Sequence, residues 1–336
     1  MNKRILLFSS LIACCYALAA DVLTVYSYRH YESDTKLFAQ FTEQTGIEVK
    51  VVKSKAGALL ERLKAEGDKS PADIFMTSDA GNLHLAREAG VLQPLHSELL
   101  ESRVPANLRD PEGYWFGFTQ RARVLVYAPD RVKPEELSTY EALANPEWRG
   151  RVVVRSSSNV YNQSLLASII EADGTKAAMK WASAVRKHMA RAPQGSDRDQ
   201  MRAVAAGLAD VAVANTYYLG LLANSDDAKD RKVAEQLEIF FPNQDGRGTH
   251  VNVSGAGVVK GSDNVEAAKQ FLEFLASDEA QAVFPNATYE YPVVSTVEWS
   301  PLQKEWGTFK ADPISLARLG ELNADAIRCF NLAGWE

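Results

Sequence analysis

The sequence predicts an α/β protein of two lobes joined by strand-like crossovers, a hinged clamshell. Three observations predict it. Short apolar strands alternate with helices along the chain, the pattern of parallel sheets covered by helices. One run, residues 114–128, keeps its strand character for far longer than the strands before it and reads as a segment crossing between lobes. No internal repeat, low-complexity tract or long linker interrupts the 336 residues, so the lobes are wound from one continuous pattern.

Residues 1–19 have the makeup of an export signal. Lys3 and Arg4 precede a mostly apolar run over residues 5–16, too short to span a bilayer, and Ala17 and Ala19 supply the small residues a signal peptidase needs. Cleavage after Ala19 is expected, with a periplasmic mature chain. A competing reading takes Leu11-Ile12-Ala13-Cys14 as a lipoprotein box, which would tether the protein through Cys14.

The mature chain then reads as a strand (22–28), a helix (35–46) with Leu37, Phe38 and Phe41 on one face and a glycine stop, a strand (48–54) and a helix (58–67). A strand (73–77) and a helix (80–90) ending in glycine follow. Beyond the crossover come a strand (151–155), helices (162–171, 175–187, 197–206) and strands (211–214, 237–241). Residues 250–260 read as strand, with Ser254-Gly255-Ala256-Gly257 as an irregular, bulged stretch. Helices over 264–276 and 277–284, and a helical tail from Leu316, complete the chain. The expected lobes are residues 20–119 with 245–290, and 120–244 with 291–336.

Composition works by exclusion. Loss of the signal removes Lys3 and Arg4, which takes the basic residues from 37 to 35 against 43 acidic ones, a net charge of −8. Without a basic stripe, nucleic acid is not an expected partner. No later apolar run reaches membrane-spanning length. Cys14 and Cys15 leave with the signal, and the remaining Cys329 can form neither an internal disulfide nor a thiolate metal cluster. Roughly 316 mature residues suffice for two lobes without covalent staples.

Ligands of open α/β sheets bind beyond the carboxyl ends of strands, and clamshells bind in the cleft between lobes. Three such strand ends read Arg29-His30-Tyr31, Ser156-Ser157-Ser158-Asn159-Val160-Tyr161 and Asn215-Thr216-Tyr217-Tyr218. Together they deliver one histidine and four tyrosines. Singly, each would be an ordinary surface or packing residue; adjacent Tyr217 and Tyr218 would point to opposite faces of a strand but fan by roughly 100° on a helix start, where they can converge on one object. Phenolate oxygen suits a hard trivalent cation such as ferric iron. Four tyrosinates on Fe³⁺ leave a charge near −1, which Arg29 and Arg121 or Arg123 could offset. One histidine without cysteine is a poor zinc set.

The chain resembles the bacterial periplasmic ferric-iron-binding proteins, a branch of the solute-binding proteins of ABC transporters. The resemblance covers essentially the whole mature chain and is carried by Tyr28-Arg29-His30-Tyr31, by Arg155 to Ser164, and by Ala214-Asn215-Thr216-Tyr217-Tyr218. Within that family it is similar to the branch that holds iron by protein side chains alone. The resemblance implies the type II periplasmic-binding-protein fold, ligation by His30, Tyr31, Tyr161, Tyr217 and Tyr218 with Arg29 behind them, and Fe³⁺ as transported cargo without an organic cofactor. It implies a monomer that serves the permease and ATPase of an iron importer. Branches that require a bound anion use a carboxylate after an early strand, and Asp79 in Thr77-Ser78-Asp79 is the residue here that could take that role.

Enzyme motifs are missing: neither a phosphate-cradling P-loop nor H-E-x-x-H occurs, and Gly255-Ala256-Gly257 lacks the third glycine of a dinucleotide loop. The three serines at 156–158 read as helix capping. The alternative on the same fold is a carrier of a small anion, held by Arg29 and the serines, or of an organic amine held in a tyrosine box.

Overall fold

A computed structural model describes residues 22–29 and 31–335. The expectations for residues 1–19, including Cys14, lie outside the described residues, as does His30.

The first lobe opens with β1 (Val22–Ser27), α1 (Glu32–Thr45), β2 (Glu48–Lys53), α2 (Ala56–Glu66), β3 (Ile74–Ser78) and α3 (Ala80–Glu88). Short β4 (Leu92–Gln93) and α4 (Glu98–Arg103) lead to the long β5 (Phe116–Tyr127). The second lobe continues with β6 (Val152–Val153), α5 (Val160–Asp173), α6 (Thr175–His188), α7 (Asp197–Ala205), β7 (Val211–Asn215), α8 (Thr216–Ala223), α9 (Ala228–Ala234) and β8 (Glu238–Phe240). The chain returns through β9 (Val251–Val259), then α10 (Val265–Leu275), α11 (Asp278–Gln281), α12 (Val283–Ala287), β10 (Tyr291–Pro292) and α13 (Pro301–Glu305). Helices α14 (Leu316–Glu321) and α15 (Asn323–Ala333) finish it.

The strands run β2-β1-β3-β9-β5-β7-β6 across the molecule. Parallel pairing of β1 with β2 and β3, and of β6 with β7, reflects the intervening helices. Strand β5 is the crossover expected from the sequence: it pairs with β9 up to Ala122 and with β7 from Arg123 onward. Each half is covered by helices whose apolar stripes face the sheet. Phe41 of α1, fully buried, meets Phe271 of α10 edge-on with centroids 5.1 Å apart, and burial of one such ring contributes about 2–3 kcal/mol.

Four expectations need correction. Residues 254–257 form no irregular stretch: β9 is continuous and pairs regularly with β3 from Ile74↔Val258 to Ser78↔Ser254. The irregularity lies opposite, in β5, where the register with β9 shifts between Gly117 and Thr119. The glycines of β9 serve close approach instead, since a Cβ on Gly257 would stand 2.2 Å from the Tyr114 carbonyl oxygen and one on Gly255 2.4 Å from that of Phe116. The strand expected over 151–155 pairs only at Val152 and Val153. The helix expected over 277–284 is two short helices with Ala282 between them. The serines at 156–158 do not cap α5; Asn159 does, its Oδ1 accepting from the Tyr161 N–H at 3.1 Å.

Candidate functional site

The loop after β1 is fixed from beneath. Ser27 Oγ accepts from the Arg29 N–H, and the buried Arg29 guanidinium forks onto Asp34 of α1, Nε to Oδ2 at 3.1 Å and Nη2 to Oδ1 at 3.0 Å. Its remaining arm donates to Glu290 Oε2 at 2.8 Å. Tyr31 occupies the position just before α1, with the Arg29 guanidinium 5.0 Å from its ring centroid.

The second lobe presents three helix starts to the same space. Tyr161 is the second residue of α5, and Tyr217 and Tyr218 are the second and third of α8, immediately after β7. Asp197 and Arg198 open α7. Tyr28, Tyr31, Tyr161, Tyr217 and Tyr218 line one cavity of about 90 Å³ together with Arg29, Ser78, Arg121, Arg198, Ser254 and Glu290. Four tyrosines expected from the sequence are thus brought together. Tyr28, 36 % exposed, is a further phenol at the rim, and Tyr217, at 2 %, lies deepest.

Guanidinium groups surround these rings. Those of Arg121, Arg155 and Arg123 stand 5.1, 5.7 and 5.9 Å from the Tyr161 centroid, and that of Arg198 5.7 Å from the Tyr218 centroid. Arg29 and Arg121 are balanced by Asp34 and Glu290, whereas Arg123 and Arg155 share Asp197. Arg198 makes no ion pair with a carboxylate among the described residues, and its Nε makes no hydrogen bond among them. The cavity therefore carries excess positive charge, which phenolates would neutralise.

Burial, followed by the Glu290 charge, pushes the Tyr31 phenol well above its ordinary value. Burial and the neighbouring phenols Tyr161 and Tyr31 push Tyr217 up strongly, and burial with Tyr161 does the same to Tyr218. These three hydroxyls keep their protons at neutral pH. Burial opposes the charge on Glu290, but Arg29 and Arg121 hold its carboxyl below the usual range. No cluster of three or more His, Cys, Asp and Glu side chains suited to a metal exists among the described residues, and phenols are the most numerous oxygen-bearing side chains lining the cavity, beside Ser78, Ser254 and Glu290.

Asp79 does not line the cavity. It is fully buried, holds φ at 78°, and its Oδ1 accepts from the Gly81 N–H at 2.9 Å and the Ser164 hydroxyl at 2.7 Å. Ser78 faces the cavity in its place. Sequence reasoning missed Glu290, Arg198 and the exposure of Tyr28. Glu290 lies between Tyr289 and Tyr291 with no motif around it, and only the fold brings it to Arg29.

Residues 69–310 match the family model described as bacterial extracellular solute-binding protein. The chain is 52 % identical over 314 residues to iron uptake protein A1 of Synechocystis sp., covering 94 % of this chain and 87 % of that protein. Among solved structures it is similar to a Trichodesmium protein in complex with iron and citrate ligands, with TM-score 0.92 and 50 % identity over 94 % of this chain and all of that one. The ferric binding protein from Campylobacter jejuni matches with TM-score 0.89 and 44 % identity over the same shares.

Proposed function

The chain belongs to the bacterial extracellular solute-binding proteins, with the two-lobed type II fold of the ferric-binding branch, and from that premise we propose that it captures one ferric ion in the cleft for an ABC importer. The observation that carries this reading is the convergence of Tyr31 from one lobe with Tyr161, Tyr217 and Tyr218 from the other on a single arginine-rimmed cavity. Hard phenolate oxygens suit Fe³⁺, and the guanidiniums offset the charge that forms as protons leave.

In this proposal Tyr161, Tyr217 and Tyr218 of the second lobe hold the ion first. Closure about β5 and β9 adds Tyr31 and its neighbour His30, with the lobes divided as residues 20–119 with 245–290 and 120–244 with 291–336. The closed form docks on the permease from the periplasmic side. Acid favours release by returning protons to the phenolates, and reduction does so because Fe²⁺ is a weaker partner for them. Relatives named as transport proteins support a carrier over an enzyme.

The test is a visible spectrum of the purified protein titrated with ferric citrate, beside the Tyr217→Phe/Tyr218→Phe double variant. A tyrosinate-to-iron charge-transfer band in the parent, lost in the variant, is expected; no band at any iron excess overturns the reading. A second reading, a small anion as the cargo, draws support from Arg198, which lines the cavity without a carboxylate partner among the described residues. Citrate binding without iron, of equal strength in the double variant, would favour it. The rim of guanidiniums opposes an organic amine in the same place.

A further inference from the structure

Arg123 is 1 % exposed and sits where β5 turns from β9 to β7, opposite Asn215. Its Nη1 donates to Asp197 Oδ2 and to Asn215 Oδ1, both at 3.1 Å. Its Nη2 donates to Asn162 Oδ1 at 2.6 Å and to the Val213 carbonyl at 3.3 Å. Each side-chain acceptor stands at a helix start that faces the cavity. Asn162 follows Tyr161 in α5, Asp197 opens α7 just before Arg198, and Asn215 precedes α8, two residues from Tyr217. The ties extend further: Asp197 Oδ2 accepts from the Asn215 N–H at 3.1 Å, and Asn162 Nδ2 donates to the carbonyls of Arg155 and Ser156 at 2.9 and 3.1 Å. One guanidinium fork therefore links three segments that present side chains to the site.

We propose that Arg123, with Asp197, is a positioning residue that holds Tyr161 and Tyr217 in place before the metal arrives; this rests on the ferric reading above. A phenol hydroxyl lies at the far end of a long ring, so a small rotation of either helix start displaces it by much more than the tolerance of a metal–ligand bond. The planar guanidinium presents donors in a rigid fork and satisfies acceptors on all three segments at once. A lysine would keep the charge but offer a point donor that cannot span them. Arg123 and its partners Asn162, Asp197, Val213 and Asn215 all lie within residues 120–244, so the second lobe's half of the site is set independently of closure.

The experiment uses the full mature protein with ferric citrate and compares Arg123→Lys and Asp197→Asn with Arg87→Lys, which weakens a half-buried ion pair (Arg87–Asp110) that lines no part of the cavity. Three readouts are taken: the energy and width of the iron–tyrosinate band, the rate of iron loss to excess EDTA, and the melting temperature without iron. Arg123→Lys and Asp197→Asn should each shift or broaden the band and speed iron loss about tenfold or more. Arg87→Lys should lower the melting temperature alone. If Arg123→Lys and Asp197→Asn fail to fold, Asn162→Ala removes one arm of the fork and should still perturb the band. Parent band and rate in the Arg123, Asp197 or Asn162 variants, or equal changes in Arg87→Lys, would overturn the positioning role. Absence of the band in the parent would instead sink the ferric reading, and this role with it.

Discussion

The rings of Tyr217 and Tyr218 stack on one another, centroids 4.1 Å apart and planes inclined by 32°, although the two residues are adjacent in the chain. On a strand they would face opposite sides of the sheet. Strand β7 ends at Asn215, and the turn into α8 brings both rings to the same cavity. Tyr217→Phe and Tyr218→Phe each keep the stacked ring and remove one oxygen. Each should lower ferric affinity by more than ~100-fold, beyond the ~10–100-fold typical of residues that only support a metal ligand. Competition against citrate measures it, and an apo melting temperature near the parent's shows that the loss is not one of folding.

Iron uptake should release protons. Burial and neighbouring charge raise Tyr31, Tyr217 and Tyr218 above the ordinary phenol value of 10.0, so all three hydroxyls carry protons at neutral pH. Binding as phenolates expels about three protons for these residues, and affinity then rises about tenfold per pH unit for each. Titration in weak buffer with a pH-stat counts them. Release of one proton or fewer per ion would contradict the ligand set.

The same shifts fix the sign of a stability effect. A phenol whose folded pKa lies above its unfolded value binds its proton more tightly in the folded state. The stability it contributes is complete below pH 10.0 and is lost as pH rises through the folded value. The denaturation midpoint of the iron-free protein should therefore hold steady up to the ordinary phenol value of 10.0 and fall as pH rises above it. Replacing Tyr31 and Tyr217 by phenylalanine should flatten that fall.

Glu290→Gln should destabilise the iron-free protein by about 2–3 kcal/mol, less than the ~3–5 kcal/mol expected when a buried ion pair loses one partner outright. Arg29 keeps its two bonds to Asp34, which moderates the loss. Chemical denaturation measures it. An unchanged midpoint would mean that the Arg29–Glu290 contact at 2.8 Å contributes nothing net.

Gly257→Ala should cost about 3 kcal/mol or more, because the added methyl meets backbone, the Tyr114 carbonyl at 2.2 Å, and β9 can yield only by giving up pairing with β3 or β5. Gly46→Ala meets no atom within 4 Å and is strained only by its φ of 76°, so it should cost about 1 kcal/mol. Thermal unfolding of the two variants separates close approach from backbone strain.

Much of this was legible in the chain. Alternating strands and helices gave the α/β class because helix and strand periods are local properties of side-chain spacing. The rule that ligands gather beyond strand ends led to Tyr31, Tyr161, Tyr217 and Tyr218, and all four line the cavity. Local pattern failed where a contact spans the fold. The bulge was expected in β9, where the glycines are, but it lies in β5; nothing in a single strand says which partner absorbs a register mismatch. Asn159 rather than a serine caps α5, since all four residues are competent caps and backbone geometry chooses among them.

By itself the sequence determined which side chains stand at the strand ends, four phenols with no cysteine among them, and the order of elements that carries them there. The tertiary structure decided the electrostatics of the site. Glu290 reaches Arg29 from 261 residues away, Arg198 arrives on α7, and Arg123 binds Asp197, Asn162 and Asn215 through one guanidinium. Such partnerships depend on how sheets and helices pack, and a charge in a sequence carries no mark of the buried partner that packing will give it.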